Sequence, residues 1–181
     1  AQGKWVLSLD ADEALSPGLI EEIKQIIFSA AVSSEAYAIK RVSFFSGKKI
    51  RYGDWSADKV VRLFRRLATI RFTPSMVHEH LIGYQRLATL KQVIFHNTMK
   101  DMSQVLMKLE SYSSYGAQLA YQQHKKSSLL KAIGHSFWCF IRGYLLRLGF
   151  LDGREGFILA ISNALGVFYR YVKLIYLYEL G

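Results

Sequence analysis

A single cysteine, Cys139, stands in 181 residues, so no disulfide can form within the chain and a bridge-built framework is excluded. This fits a reducing cytoplasm, and Cys139 itself, in an apolar helical context, reads as a small buried hydrophobe. Acids are scarce as well, 14 against 24 Lys and Arg, giving a net charge of +10. The surplus grows denser towards the C-terminal half and suits an anionic partner, whether a membrane surface, a phosphorylated glycolipid or nucleic acid, without choosing among them. Long apolar runs are missing too. The longest uncharged stretch, Gly156 to Tyr169, falls short of the roughly twenty residues that cross a bilayer, and the segment before it carries Arg142 and Arg147. There is no internal repeat and no low-complexity segment. The first residues, Ala-Gln-Gly, show neither the basic region nor the cleavage pattern of a signal peptide.

What is present begins with Trp5-Val6-Leu7-Ser8-Leu9-Asp10-Ala11-Asp12-Glu13, an apolar run that ends in three acids. Such a run reads as a buried strand, and its end places the carboxylates at a sheet's edge, where open α/β sheets bind ligands. Two aspartates one residue apart can direct oxygens at one hard cation, Mg²⁺ or Mn²⁺, which in turn neutralises phosphates. Other Asp-x-Asp chemistries fit poorly. A haloacid-dehalogenase-type phosphatase wants Thr or Val where Ala14 stands, and an EF-hand wants an oxygen ligand at Ala14 and Gly at Leu15. The plainer reading is an acidic strand end followed by a helix cap.

Ser16-Pro17 is a good helix start, with Leu19, Ile20, Ile23, Ile26 and Ile27 at helical spacing to about Ala31. Ala36 to Phe45 reads as a strand, Ser46-Gly47-Lys48 as a turn, Lys49 to Trp55 as a return strand or loop, and Asp58 to Arg66 as another strand. A short Ile70-Arg71-Phe72 segment precedes the polar cluster Val77-His78-Glu79-His80, and Thr89 to His96 is a further apolar run. Helices follow: Ser103 to about Gln123, a second that runs to about Leu148 and ends at Gly149, and a third from about Gly153 to Leu180 that Asp152 can cap. With Phe137, Trp138, Phe140 and Tyr144 inserted and Lys131, Arg142, Arg147, Arg154 and Arg170 facing headgroups, these helices suit a membrane interface; an ordinary helical subdomain is the alternative.

Three further groups are candidates for chemistry. Glu79 is the first candidate for a general base and Asp54, beside Trp55, the second; a solvated loop acid is the plainer reading of each. His96 ends a strand, where it can add a metal ligand or a phosphate contact. Arg62, Arg65 and Arg66 can clamp a diphosphate, or line a basic sheet edge.

The acid-ended strand resembles the Asp-x-Asp segment of family 2 glycosyltransferases of the GT-A fold. The resemblance continues in order through Val60-Val61-Arg62-Leu63-Phe64-Arg65-Arg66, Val77-His78-Glu79, His96, Lys108 with Tyr112, and Leu148-Gly149-Phe150-Leu151-Asp152-Gly153-Arg154-Glu155-Gly156. Together these are similar to the C-terminal two-thirds of bacterial lipopolysaccharide core β-1,4-glucosyltransferases. The resemblance implies an inverting transfer of a hexose, glucose first, from a UDP-sugar to a glycolipid acceptor at the cytoplasmic face of the bacterial inner membrane, the enzyme being peripheral. It makes Asp10 and Asp12 the metal and diphosphate residues. The Gln-x-x-Arg-Trp block of processive members is absent, which implies single-sugar addition; so is the Glu-Asp pair that marks the base in many family 2 enzymes.

The expectation is therefore an α/β, GT-A-like sheet over residues 1–100, with the nucleotide-binding part that precedes the Asp-x-Asp strand missing, and a helical, membrane-associating region over 101–181. A divalent metal, Mg²⁺ or Mn²⁺, is the expected cofactor. A UDP-sugar, a glycolipid and an anionic membrane surface are the expected partners, with nucleic acid disfavoured. Two rivals remain: a non-catalytic basic module for membrane surfaces or nucleic acid, and a metal-dependent phosphohydrolase built on Asp10, Asp12 and the histidines.

Overall fold

The computed structural model describes residues 2–29, 33–56, 58–73, 80–99 and 101–180. The chain divides into two compact units: Ala1–Ser43 with Ala57–Asn97, and Phe44–Ser56 with Thr98–Gly181.

The first unit is a mixed α/β layer. Its strands are β1 (Trp5–Leu7), β2 (Glu13–Leu15), β3 (Ala36–Phe45), β5 (Asp58–Arg65), β6 (Arg71–Phe72), β7 (Leu81–Ile82) and β8 (Leu87–Met99), with β4 (Lys48–Lys49) belonging to the second unit's hairpin. The main sheet runs in the order β1-β5-β3-β8-β2, and the β1/β5, β3/β5 and β2/β8 pairs are antiparallel. Alternation of side chains gives each strand two apolar faces. Trp5, Leu7, Tyr37, Ile39, Leu63, Leu90 and Ile94 pack with Leu19 and Ile23 of the helix α1 (Pro17–Phe28), while Val6, Ala36, Phe64 and Leu81 form the core of the opposite face. Burial on both sides explains why these strands read as near-continuous hydrophobic runs. α1 starts as its sequence dictates: the Ser16 hydroxyl accepts from the Leu19 N–H at 3.3 Å and Pro17 takes the first turn.

β2 is the element the sequence conceals. Its three residues are too few to show a period, and only pairing with Ile94, Phe95 and His96 of β8 makes them a strand.

The second unit is helical: α2 (Met102–Gln122), α3 (Leu129–Ile141), a π-helical turn Arg142–Leu146, a 3₁₀ turn Gly149–Asp152 and α4 (Arg154–Leu180). α4 packs on both α2 and α3. Asp101 and Ser128 cap α2 and α3 with their side-chain oxygens. The second helix thus ends at Ile141 and turns through a π-bulge rather than continuing to Leu148, and Leu148 takes a left-handed conformation ahead of Gly149. Asp152 does not cap α4. Buried, its carboxylate instead accepts the backbone N–H of Arg51, at 3.0 Å, and of Tyr52, at 2.8 Å.

Lys48 completes that attachment by donating to the Asp152 carbonyl oxygen at 2.9 Å and to Glu155 at 2.7 Å. The Lys48 bond is the first cause that holds the Glu155 carboxyl at about 2, against an ordinary 4.5. Because the folded value is depressed, the contribution is present above the ordinary value and is lost as pH falls towards the folded one. Glu155→Gln is therefore expected to flatten the fall in melting temperature between about pH 4.5 and 2 while leaving it unchanged in slope near neutrality, as followed by circular dichroism.

α4 is also long and apolar enough to cross a membrane by length and composition, which a count of its uncharged run alone had set aside. Near its C-terminal end Lys173 donates to Glu110, Ser113 and Ser114 of α2. Exposed apolar side chains run along α3 and the turns after it, at Leu130, Ile133, Phe137, Trp138, Leu145 and Leu146, and α2 and α4 expose others, Leu106, Met107, Leu165 and Tyr176 among them. Trp138 and Phe137 are exposed as expected, whereas Phe140 and Tyr144 stack on each other and meet Phe157 edge-on.

Candidate acidic site

Past Leu7 the chain turns back on itself. The Glu13 N–H donates to the Asp10 carbonyl at 3.0 Å, and the Asp10 N–H donates to the Glu13 side chain at 3.1 Å, so the acidic loop is closed by two reciprocal bonds. Neighbouring strands fix both ends: Ser8 donates to the Arg62 carbonyl at 2.8 Å and Asn97 to the Asp12 carbonyl at 2.9 Å.

One irregularity in β5 decides what faces this loop. Tyr37 of β3 lies opposite Leu63 and Ala38 opposite Val61, leaving Arg62 as an extra, unpaired residue, a β-bulge. The bulge re-aims Arg62 at the acids. Its guanidinium pairs with Asp10 and, at 2.7 Å, with Glu13, while Arg41 reaches the same Glu13 oxygen at 3.4 Å and holds Asp58 bidentately at 3.0 and 2.7 Å. On the other side, His96 Nε2 lies 3.2 Å from Asp12 Oδ2.

Exposure separates the three acids. The Glu13 side chain is 0% exposed, against 52% for Asp10 and 40% for Asp12. Glu13 is therefore an internal anchor for two arginines, and Asp10 and Asp12 are the carboxylates that a ligand can reach. No three His, Cys, Asp or Glu side chains among the described residues are grouped to cage a metal ion. Two accessible carboxylates nevertheless fit Mg²⁺ or Mn²⁺, since such ions are commonly held by one or two carboxylates together with substrate phosphates and water.

No known family profile matches the chain, and no solved structure does. Curated proteins do. The chain is 29% identical to an uncharacterized glycosyltransferase of Rickettsia prowazekii over 179 residues, 94% of this chain and 61% of the relative. Matches of 28% and 27% to uncharacterized glycosyltransferases of Rickettsia typhi and Rickettsia bellii cover the same shares. The likeness is to glycosyltransferases. The chain spans 61% of the length of these relatives, and their names support a sugar-transferring enzyme without specifying family, donor or acceptor.

Of the residues expected to serve a glycosyltransferase site, Asp10, Asp12, Arg62 and His96 meet around the acidic loop. Arg65 lies over the Trp5 ring at 5.3 Å, and Arg66 donates to the Gly3 carbonyl. Asp54, read as a candidate base on an open loop, has both oxygens engaged by Arg147 at 2.6 Å and Arg142 at 3.0 Å, within the second unit. A carboxylate so occupied is poorly placed to take a proton from a hydroxyl. Glu79, with Val77 and His78, lies outside the described residues. Arg41 was missed by sequence reasoning, although its register opposite Asp58 follows once β3 and β5 are paired.

Proposed function

We propose that the protein containing this chain is an inverting glycosyltransferase of family 2, moving a hexose, glucose first, from a UDP-sugar to a glycolipid such as a lipopolysaccharide core. The observation that carries this reading is the acidic loop, with Asp10 and Asp12 exposed beside an arginine and a histidine in a chain similar to glycosyltransferases. Asp10 and Asp12 would hold a divalent cation, whose chemistry is to neutralise the donor diphosphate and the departing UDP.

The chain's own residues do the rest. Glu13 keeps the loop closed and holds Arg62 close to it. Arg62, paired with Asp10, is positioned to exchange that carboxylate for a donor phosphate oxygen. His96 orients Asp12. Glu79 remains the first candidate to receive the proton of the acceptor hydroxyl, and Asp54 serves to hold two arginines. The exposed Leu130, Ile133, Phe137 and Trp138 on α3 would sit in a membrane interface, placing the enzyme peripherally at the cytoplasmic face of the bacterial inner membrane, where a lipid-linked acceptor is found.

The test is calorimetric titration of UDP-glucose in Mn²⁺ with the full-length protein. Binding is expected to need the metal and to weaken roughly a hundredfold in Asp12→Ala. A folded protein that ignores UDP-glucose, yet binds anionic surfaces with steep salt dependence, would instead establish the basic module. Phosphate release from simple esters would point to the phosphohydrolase.

A further inference from the structure

The second unit contains a cavity of about 560 Å³ that the acidic loop does not use. That volume lies in the range of small-molecule sites, which are apolar with a few convergent polar groups. Its lining is unusual in charge. Lys108 of α2, Arg142 and Arg147 of the π turn and its end, and Arg170 of α4 face it against one carboxylate, Asp54.

Local packing holds these groups in place. Asp54 takes one nitrogen from each of Arg142 and Arg147, which leaves both guanidiniums with further N–H donors. A side chain at Gly143 would stand 3.1 Å from Asp54 Oδ2, and one at Gly116 would stand 2.6 Å from Arg170 Cδ, so small residues open the room these charged groups occupy. One wall is Trp55, whose indole N–H donates to Asn163 Oδ1 at 3.0 Å. That bond fixes the ring and leaves the Asn163 amide N–H groups to donate.

We propose that this cavity binds a phosphate-bearing saccharide. The four cations call for an anion, while the fixed indole and the Asn163 amide suit the ring and hydroxyls of a sugar. An inorganic anion alone would leave most of the volume and the apolar wall unused. As the seat of an acceptor head the cavity rests on the glycosyltransferase reading. As a binding site it does not, and the two can fail separately.

The experiment titrates the 181-residue chain with glucose 6-phosphate, inorganic phosphate and glucose, without donor or metal, at physiological ionic strength. Glucose 6-phosphate is expected to bind at least roughly tenfold more tightly than either of the others, because only it engages both the cations and the indole wall. Lys108→Gln combined with Arg170→Gln should weaken it roughly tenfold or more. Gly166→Phe, which adds a ring at a cavity-lining glycine while every charged residue is kept, should abolish it. Equal affinities for the three probes, or binding that survives Gly166→Phe, would overturn the proposal. If Gly166→Phe loses its helical circular dichroism, the double glutamine variant decides alone, and unchanged binding there overturns it. Phosphatidylcholine vesicles with and without phosphatidic acid distinguish the source: selective displacement of bound glucose 6-phosphate by the acidic vesicles identifies a lipid-borne phosphate, and its absence a soluble saccharide. UDP-glucose binding that depends on Asp12, with no glucose 6-phosphate binding, would sink this inference while leaving the transferase standing.

Discussion

Glu13→Ala is expected to destabilise the protein by about 3 kcal/mol, the lower end of what removal of one partner from a buried ion pair costs. The Glu13 side chain is fully buried and receives Arg62 at 2.7 Å, Arg41 at 3.4 Å and the Asp10 N–H at 3.1 Å. Its loss leaves two guanidiniums each short of one partner beside a fully buried position. The lower end applies because Arg41 keeps Asp58 and Arg62 keeps Asp10. Glu13→Gln should cost less, since the amide oxygen still accepts. Asp10→Asn, at a carboxylate half exposed to solvent, should cost under about 1 kcal/mol. Urea unfolding midpoints of the three variants check the order; a Glu13→Ala cost no larger than that of Asp10→Asn would remove Glu13 from its role as anchor.

Gly156→Ala should destabilise by about 3 kcal/mol or more, although the same change inside a helix ordinarily gains up to about 1 kcal/mol. The added methyl would stand 1.9 Å from the Gly149 carbonyl oxygen and 2.9 Å from its carbon, and backbone cannot yield as a flexible side chain can. Gly149 is constrained in turn, because a methyl there would lie 2.7 Å from the Gly143 carbonyl oxygen. Gly134→Ala in α3 is the control. Nothing lies within 4 Å of its added methyl, so a gain of up to about 1 kcal/mol is expected. Thermal melts of the two variants should move in opposite directions; a neutral Gly156→Ala would mean that the start of α4 can shift away from the turn.

These close approaches give the Gly149 to Gly156 block a physical meaning. Gly149 and Gly156 let two backbone segments touch, Asp152 takes the N–H groups of Arg51 and Tyr52, Gly153 adopts a positive φ, and Glu155 receives Lys48. This run of the resemblance thus works as an attachment of α4 to the Lys48–Tyr52 segment.

Elements whose causes are local were legible in the chain. Ala36–Phe45 forms its strand at the expected bounds, Ser16 caps α1, the helices begin within a residue or two of their caps, and the acids follow a strand. Propensity, capping and hydrophobic period act over a few residues, so composition within a short window suffices. The exposure of Asp10 and Asp12, the burial of Glu13 and the aim of Arg62 needed the tertiary structure. They depend on a one-residue bulge and on a pairing 49 residues apart in the chain, as the Asp152 attachment depends on one 100 residues apart. A slip of one residue in β5 would turn Arg62 to the other face of the sheet. The sequence by itself therefore determined the elements and the presence of an acid-ended strand. Only the packed chain decided which acid is an anchor, which acids are open to a ligand, and that four cations line one cavity.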